Sequence, residues 1–167
     1  MVLKLTSAHL QTIQAHAERI YAEECCGLLI GKLEHESESN LRLLAEIWEV
    51  ENTWSSTISI TMADLSGDSS SSSALDKSRR YWIDPREMLA GQRYARDRNL
   101  DIIGVYHSHP DHPAVPSECD RIYAWPQYSY IIVSVQQGKM SDLRSWNLDQ
   151  NHQFQPEPIY TISTPSH

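Results

Sequence analysis

The stretch DIIGVYHSHP, residues 101–110, constrains the fold of this chain more than any other. It is an apolar segment of strand length that Pro110 terminates, because proline lacks the backbone donor that a sheet ladder needs. Its last residues exchange hydrophobic side chains for histidines at 107 and 109. Side chains at i and i+2 of a strand share a face, with backbones roughly 6 to 7 Å apart. The segment therefore calls for a sheet that buries a strand and brings two imidazoles together at its end.

Elements on either side can build that sheet. VLKL reads as a short strand, and residues 7–21 as an amphipathic helix with Leu10, Ile13, Ala17, Ile20 and Tyr21 at helical spacing and Ser7 placed to cap. CCGLLIGKL is a continuous apolar run of strand length, HESESN (35–40) a polar turn, and LRLLAEIWEVEN a strand alternating at Leu41, Leu43, Ala45 and Ile47. Asp84, Pro85 and Glu87 start a helix that runs to about Asn99. A short helix begins at Ser117. YSYIIVSV and DLRSWNL are strands around a QQGK hairpin turn, and the tail from Phe154 to Ile162 supplies one more. The fold class is α/β, a curved mixed or antiparallel sheet with two main helices, in one domain spanning residues 1–167. The serine-rich stretch 66–78 predicts a flexible loop, either a substrate lid or a tolerated surface insertion.

A length of 167 residues suits one domain with a single sizeable core. The net charge of −8 and scattered Lys and Arg, densest at Arg79-Arg80, exclude a nucleic-acid surface. The N-terminus lacks the pattern of a secretory signal, and no apolar run is long enough to span a membrane. Cys25, Cys26 and Cys119 have no framework spacing, so reduced thiols and a cytoplasmic location are expected.

The stretch HSHPDHPAVPSECD (107–120) admits two readings. In one, His107 and His109 supply half of a tetrahedral metal shell. Asp120, folded back by a loop stiffened with Pro110, Pro113 and Pro116, supplies a third ligand, and Ser117 lies near the open position. In the other, Ser117-x-x-Asp120 is a helix cap, His112 an ordinary loop residue, and the histidine pair buried and hydrogen-bonded. Spacing alone leaves both open.

His107-Ser108-His109, seven residues, then Ser117-x-x-Asp120 resembles the signature of the JAMM (MPN+) metallopeptidases, and EECCGLLIG resembles their upstream glutamate segment, with Glu24 at the matching position. IDPREMLAGQRYARDRNLDIIGVYHSHPDHPAVPS and the strands after it are similar to the compact bacterial members. The resemblance implies a curved mixed sheet flanked by helices, related to cytidine deaminases. It implies one zinc ion with a bound water, held by His107, His109 and Asp120, with Glu24 as general base and Ser117 stabilising the oxyanion. It also implies hydrolysis of a peptide or isopeptide bond, releasing an amino acid or peptide from the C-terminal Gly-Gly of a ubiquitin-like sulfur-carrier protein.

Two nitrogens and one oxygen would also accept iron, cobalt or manganese. Ser108 faces away from the histidines and is expected to be structural, Cys119 to pack, and Trp125 and Tyr128 to belong to core or cleft wall. Competing readings are a non-catalytic scaffold of the same fold and a deubiquitinase-like isopeptidase. The first conflicts with the complete signature, the second with the absence of an inserted segment after Asp120. A zinc deaminase would need H-x-E with a downstream P-C-x-x-C, and no C-x-x-C is present. The DNA-repair-associated branch carries H-N-H-P-S-G where this chain has H-S-H-P-D-H. Nothing in the sequence sets an oligomeric state.

Overall fold

The computed structural model describes residues 1–36, 38–55 and 77–163. Stretch 66–78 therefore lies outside the described residues apart from 77 and 78. In chain order the elements are β1 (Val2–Thr6), α1 (Ser7–Ile20), β2 (Cys26–Glu36), β3 (Ser39–Val50), α2 (Pro85–Arg96), β4 (Asp101–Pro110), α3 (Glu118–Ile122), β5 (Ser129–Gln136), β6 (Lys139–Leu148), β7 (Phe154–Glu157) and β8 (Ile159–Ile162). The strands form one mixed sheet in the order β7-β6-β5-β4-β2-β3-β1-β8.

Each helix starts where a side chain takes up orphan backbone donors. The cap of α1 is Thr6 rather than Ser7: Thr6 Oγ1 accepts from the His9 amide at 3.2 Å, and His9 Nδ1 accepts from the Thr6 amide at 3.1 Å. Asp84 caps α2, accepting from the Arg86 amide at 2.8 Å. The helix stops at Arg96, short of Asn99, which takes a left-handed φ of 56°.

The sheet is buried on both faces. Ile13 and Ala17 of α1 close one face over Leu3, Leu5, Leu29 and Ile131. Met88 of α2, with Tyr81 and Ile83, closes the other over Leu28, Val105 and Tyr130. At Gly91 of α2 an added Cβ would meet Leu28 Cδ1 at 2.6 Å, so the glycine sets how closely this helix approaches the sheet.

Three further expectations change. Polar residues of HESESN extend β2 and β3 into a hairpin, with His35 opposite Asn40 and Glu36 opposite Ser39, because both faces of that end are exposed. The expected alternation in β3 breaks at a bulge between Ile30 and Gly31: Leu44 and Arg42 are buried and Ala45 is exposed. A Cβ at Gly31 would lie 2.0 Å from the Leu43 carbonyl oxygen, so only glycine fits. The tail is two strands rather than one, with β7 beside β6 and β8 beside β1 at opposite edges.

Those edges approach each other because the sheet curls. Arg42 of β3 pairs with Glu157 of β7 at 2.9 Å although five strand steps separate them in the sheet order. Laid flat, five steps would span roughly 24 Å. Ser145 Oγ also donates to Glu157, and Arg42 donates to Ser129 Oγ and to the Gln127 carbonyl. The hairpin between β5 and β6 turns at Gln137 and Gly138, with φ of 49° and 85°, the positive pair that a tight two-residue loop requires.

Candidate metal centre and active site

A second bulge, in β4 opposite Leu29 and Ile30, puts Val105, His107 and His109 on the α2 face, and Tyr106 and Ser108 on the α1 face. The Nε2 atoms of His107 and His109 lie 3.1 Å apart. Asp120, in the first turn of α3, reaches both rings, with Oδ1 3.3 Å from His107 Nε2 and Oδ2 3.3 Å from His109 Nε2. Glu24, two residues before β2, brings Oε1 to 3.9 Å from His109 Nε2. Glu24, His107 and His109 are all buried and offer atoms within 4.8 Å of one another. Two carboxylates therefore flank one imidazole pair, Asp120 nearer and Glu24 farther.

The donor set fits a small cation. Two ligands about 2.0–2.1 Å from a tetrahedral ion lie roughly 3.3 Å apart, close to the 3.1 Å between the imidazole nitrogens and the 3.3 Å from each to one Asp120 oxygen, Oδ1 for His107 and Oδ2 for His109. The Pro113 carbonyl accepts from His109 Nδ1 at 2.8 Å, and since a carbonyl only accepts, Nδ1 carries the proton and Nε2 presents a lone pair. His107 is held by stacking on Tyr81, with centroids 4.4 Å apart and planes 23° apart. Its buried Nδ1 has no hydrogen-bond partner among the described residues.

Charge divides the two carboxylates. Burial pushes the Asp120 carboxyl up, yet His107 and His109 together outweigh it and hold the group well below the usual carboxylate range. Burial, with Asp120 adding to it and Arg80 opposing, pushes the Glu24 carboxyl well above that range. Burial also lowers His107, partly offset by Asp120. The surroundings thus favour the ionised form of Asp120 and the protonated form of Glu24.

Ser117 occupies the cap of α3. Its Oγ accepts from the Asp120 amide at 3.1 Å while Asp120 Oδ2 accepts from the Ser117 amide at 2.8 Å. Cap and cluster geometry therefore coexist: the cap fixes the carboxylate that faces the histidines. Among the described residues Ser117 Oγ accepts this bond and donates none.

Several neighbours have no sequence signature. Asn52, buried after β3, donates through Nδ2 to the Glu24 carbonyl at 3.0 Å and the Arg80 carbonyl at 2.9 Å, and its Oδ1 accepts from the amides of Trp54 and Trp82. Ser108 Oγ accepts from the Cys25 amide at 2.8 Å, tying the residue after Glu24 to β4. A cavity of about 460 Å³ opens onto Glu24 and Asp120. Trp125 and Tyr128 form part of its wall, and so does Cys119, whose place is not packing alone. His112 is an exposed loop residue.

Among the described residues no helix is long and apolar enough to cross a membrane. The desampylase of Haloferax volcanii is 38% identical over 71 residues, 42% of this chain and 50% of that protein, so the chain spans about half the length of the curated relatives it matches. The solution structure of a Salinibacter ruber protein is 30% identical, with a TM-score of 0.65 and coverage of 97% of this chain and 92% of that one. A Desulfitobacterium hafniense protein, also solved in solution, shares the fold at 24% identity, with a TM-score of 0.72 and coverage of 98% and 94%. The description of prokaryotic homologs of the JAB domain matches residues 6–149, which include every residue of the cluster. The chain is therefore a compact JAMM/MPN-type protein and belongs to the prokaryotic JAB-domain family.

Proposed function

We propose that this protein is a zinc-dependent peptidase that cleaves the peptide or isopeptide bond following the C-terminal Gly-Gly of a ubiquitin-like sulfur-carrier protein. The observation that carries the reading is the cluster itself: two Nε2 atoms 3.1 Å apart, both 3.3 Å from Asp120, with Glu24 3.9 Å from His109. The similarity to a desampylase supports the bond class. His107, His109 and Asp120 would hold the ion, which when bound supplies Lewis acidity for the scissile carbonyl and an acidified water.

Glu24 accepts the proton of the attacking water and delivers it to the departing amine, a shuttle suited to a carboxyl whose proton affinity burial has raised. Asp120, kept ionised beside the imidazoles, would bring the negative charge to the ion. His109, its Nδ1 proton committed to Pro113, keeps Nε2 aimed at the centre. Ser117 donates its free hydroxyl proton to the developing oxyanion. Asn52 and Ser108 hold the chain around Glu24 from its two sides.

Zinc-loaded wild type and Glu24→Gln, incubated with sulfur-carrier proteins extended beyond Gly-Gly, test this by product mass. Wild-type cleavage that a chelator abolishes and the variant lacks supports the reading; equal cleavage by the variant overturns the role of Glu24.

A further inference from the structure

The helix α3 carries Asp120, yet it has only five residues and none of them is buried. A helix of that length does not hold itself in water. Ile122 and Tyr123 at its end are exposed and offer it little core. Asp120 nevertheless stands 3.3 Å from both imidazoles, so bonds from outside the helix must fix its place.

Two such bonds come from β6 and the turn after it. Upstream of α3, Trp146 of β6 donates from Nε1 to the Ala114 carbonyl at 3.1 Å. Downstream, His152 meets the Arg121 carbonyl through Nε2 at 2.8 Å, and since a carbonyl only accepts, Nε2 carries the proton. Arg121 donates in return from Nη1 to the His152 carbonyl at 3.4 Å. The turn that presents His152 is built by Asp149, whose carboxylate accepts from the Asn151 and Gln153 amides and from the Gln155 side chain. Trp146 also bears on His109. Ser134 of β5 donates to the His112 carbonyl and Trp146 to that of Ala114, while the Pro113 carbonyl between them accepts from His109 Nδ1. Tyr130, opposite Trp146 in β5, accepts from the Trp125 amide but lines the cavity, whereas Trp146 and His152 form no part of its wall.

From these bonds we infer that Trp146 and His152 are positioning residues of the metal centre. They brace the segment 114–121 at its two ends, and Ser117 and Asp120 lie between the braces. The inference rests on the metal-holding role proposed above for His107, His109 and Asp120, and not on which bond is cleaved. His152 lies outside residues 6–149, so the family match does not supply its role. Removing either brace leaves all three ligands in the chain but frees the segment that sets one of them against the others. The effect therefore falls on metal affinity and coordination geometry.

The test measures metal binding by the full chain, with zinc by chelator competition and with cobalt(II), which the same donors accept, by its visible absorption. Trp146→Phe removes one donor and keeps an aromatic ring. His152→Ala removes the other, and His152→Gln keeps a donor at similar reach. Thr6→Ala, which removes the cap of α1, controls for lost stability alone. Trp146→Phe and His152→Ala should each bind zinc about tenfold more weakly, the loss expected when a partner behind a ligand is removed, and should change the cobalt spectrum. His152→Gln should recover most of that affinity, and Thr6→Ala should keep it although its Tm falls. Should Trp146→Phe fail to fold, His152→Ala still tests the brace, because Asn151 and Gln153 on either side of it are exposed. Unchanged affinity and spectrum in the donor-free variants overturn the inference and leave the peptidase reading standing, and so does an equal loss of affinity in Thr6→Ala. The expected metal results in a protein that cleaves no Gly-Gly-extended carrier uphold the inference and overturn the peptidase reading alone. Wild type that binds neither metal overturns both.

Discussion

The side-chain amide of Asn52 donates to the main-chain carbonyl of Glu24 at 3.0 Å. With its bonds to Arg80, Trp54 and Trp82 it joins the residues just before β2 to two stretches of chain, 52–54 and 80–82. Asn52→Ala would leave those buried groups unpaired, at a cost of about 2 kcal/mol. Urea denaturation is expected to register that loss. Turnover should fall by more than tenfold while bound metal, measured by mass spectrometry, stays unchanged.

Two carboxylates flank the histidines, and metal retention separates their roles. Asp120→Asn and His109→Ala are each expected to weaken metal binding by at least about tenfold. Glu24→Gln should keep its metal. Retention by Asp120→Asn together with loss from Glu24→Gln would reverse the assignment.

The raised proton affinity of Glu24 implies that its charged form is costly in the folded protein. In metal-free protein at neutral pH, Glu24→Gln should therefore raise stability by about 1 kcal/mol, seen as a higher Tm, while removing activity. An unchanged or lower Tm would contradict the burial argument.

His16 of α1 is buried, with Nδ1 2.8 Å from the Tyr106 hydroxyl. Burial lowers its pKa, with Glu49 opposing and Arg19 assisting. The unfolded chain then takes up a proton at higher pH than the folded one. The stability that His16 contributes is present above about pH 6.5, the unfolded value, and is lost as pH falls from there through the folded value. Wild type compared with His16→Gln at pH 7.5 and 5.5 isolates this residue from the site histidines. The variant is expected to lose less stability on acidification.

Arg42 and Glu157 are almost fully buried, and each is the other's counter-ion. Arg42→Met alone should cost about 3–5 kcal/mol, because it strands a carboxylate beside Ser145. Adding Glu157→Gln should recover at least half of that. Equal losses in the single and double variants would show that the pair is not coupled.

The cluster was legible because its chemistry is local in sequence. His107 and His109 sit two apart on a strand, Asp120 is three residues past a capping serine, and Glu24 precedes a strand-length apolar run. The cap and the cluster share one residue: the cap of α3 turns the Asp120 carboxylate toward both histidines. What stayed hidden depends on pairings between distant residues. The bulges opposite Ile30 and Leu29 change which side chains face inward, so the alternation of LRLLAEIWEVEN pointed to Ala45 in place of Leu44. Asn52 and Tyr81 earn their places from partners far along the chain. The tail from Phe154 to Ile162 has strand composition throughout, and only the curl of the sheet separates its two pairings.

That tail also governs what the sheet shows to other molecules. Its two four-residue strands, joined at Pro158, occupy both edges, so one short segment shields β1 and β6 together. An unpaired edge is a template on which another chain can add. Detaching this segment would bare two such templates in a single event. A lesion far from the histidines would then surface first as self-association, before any loss of chemistry.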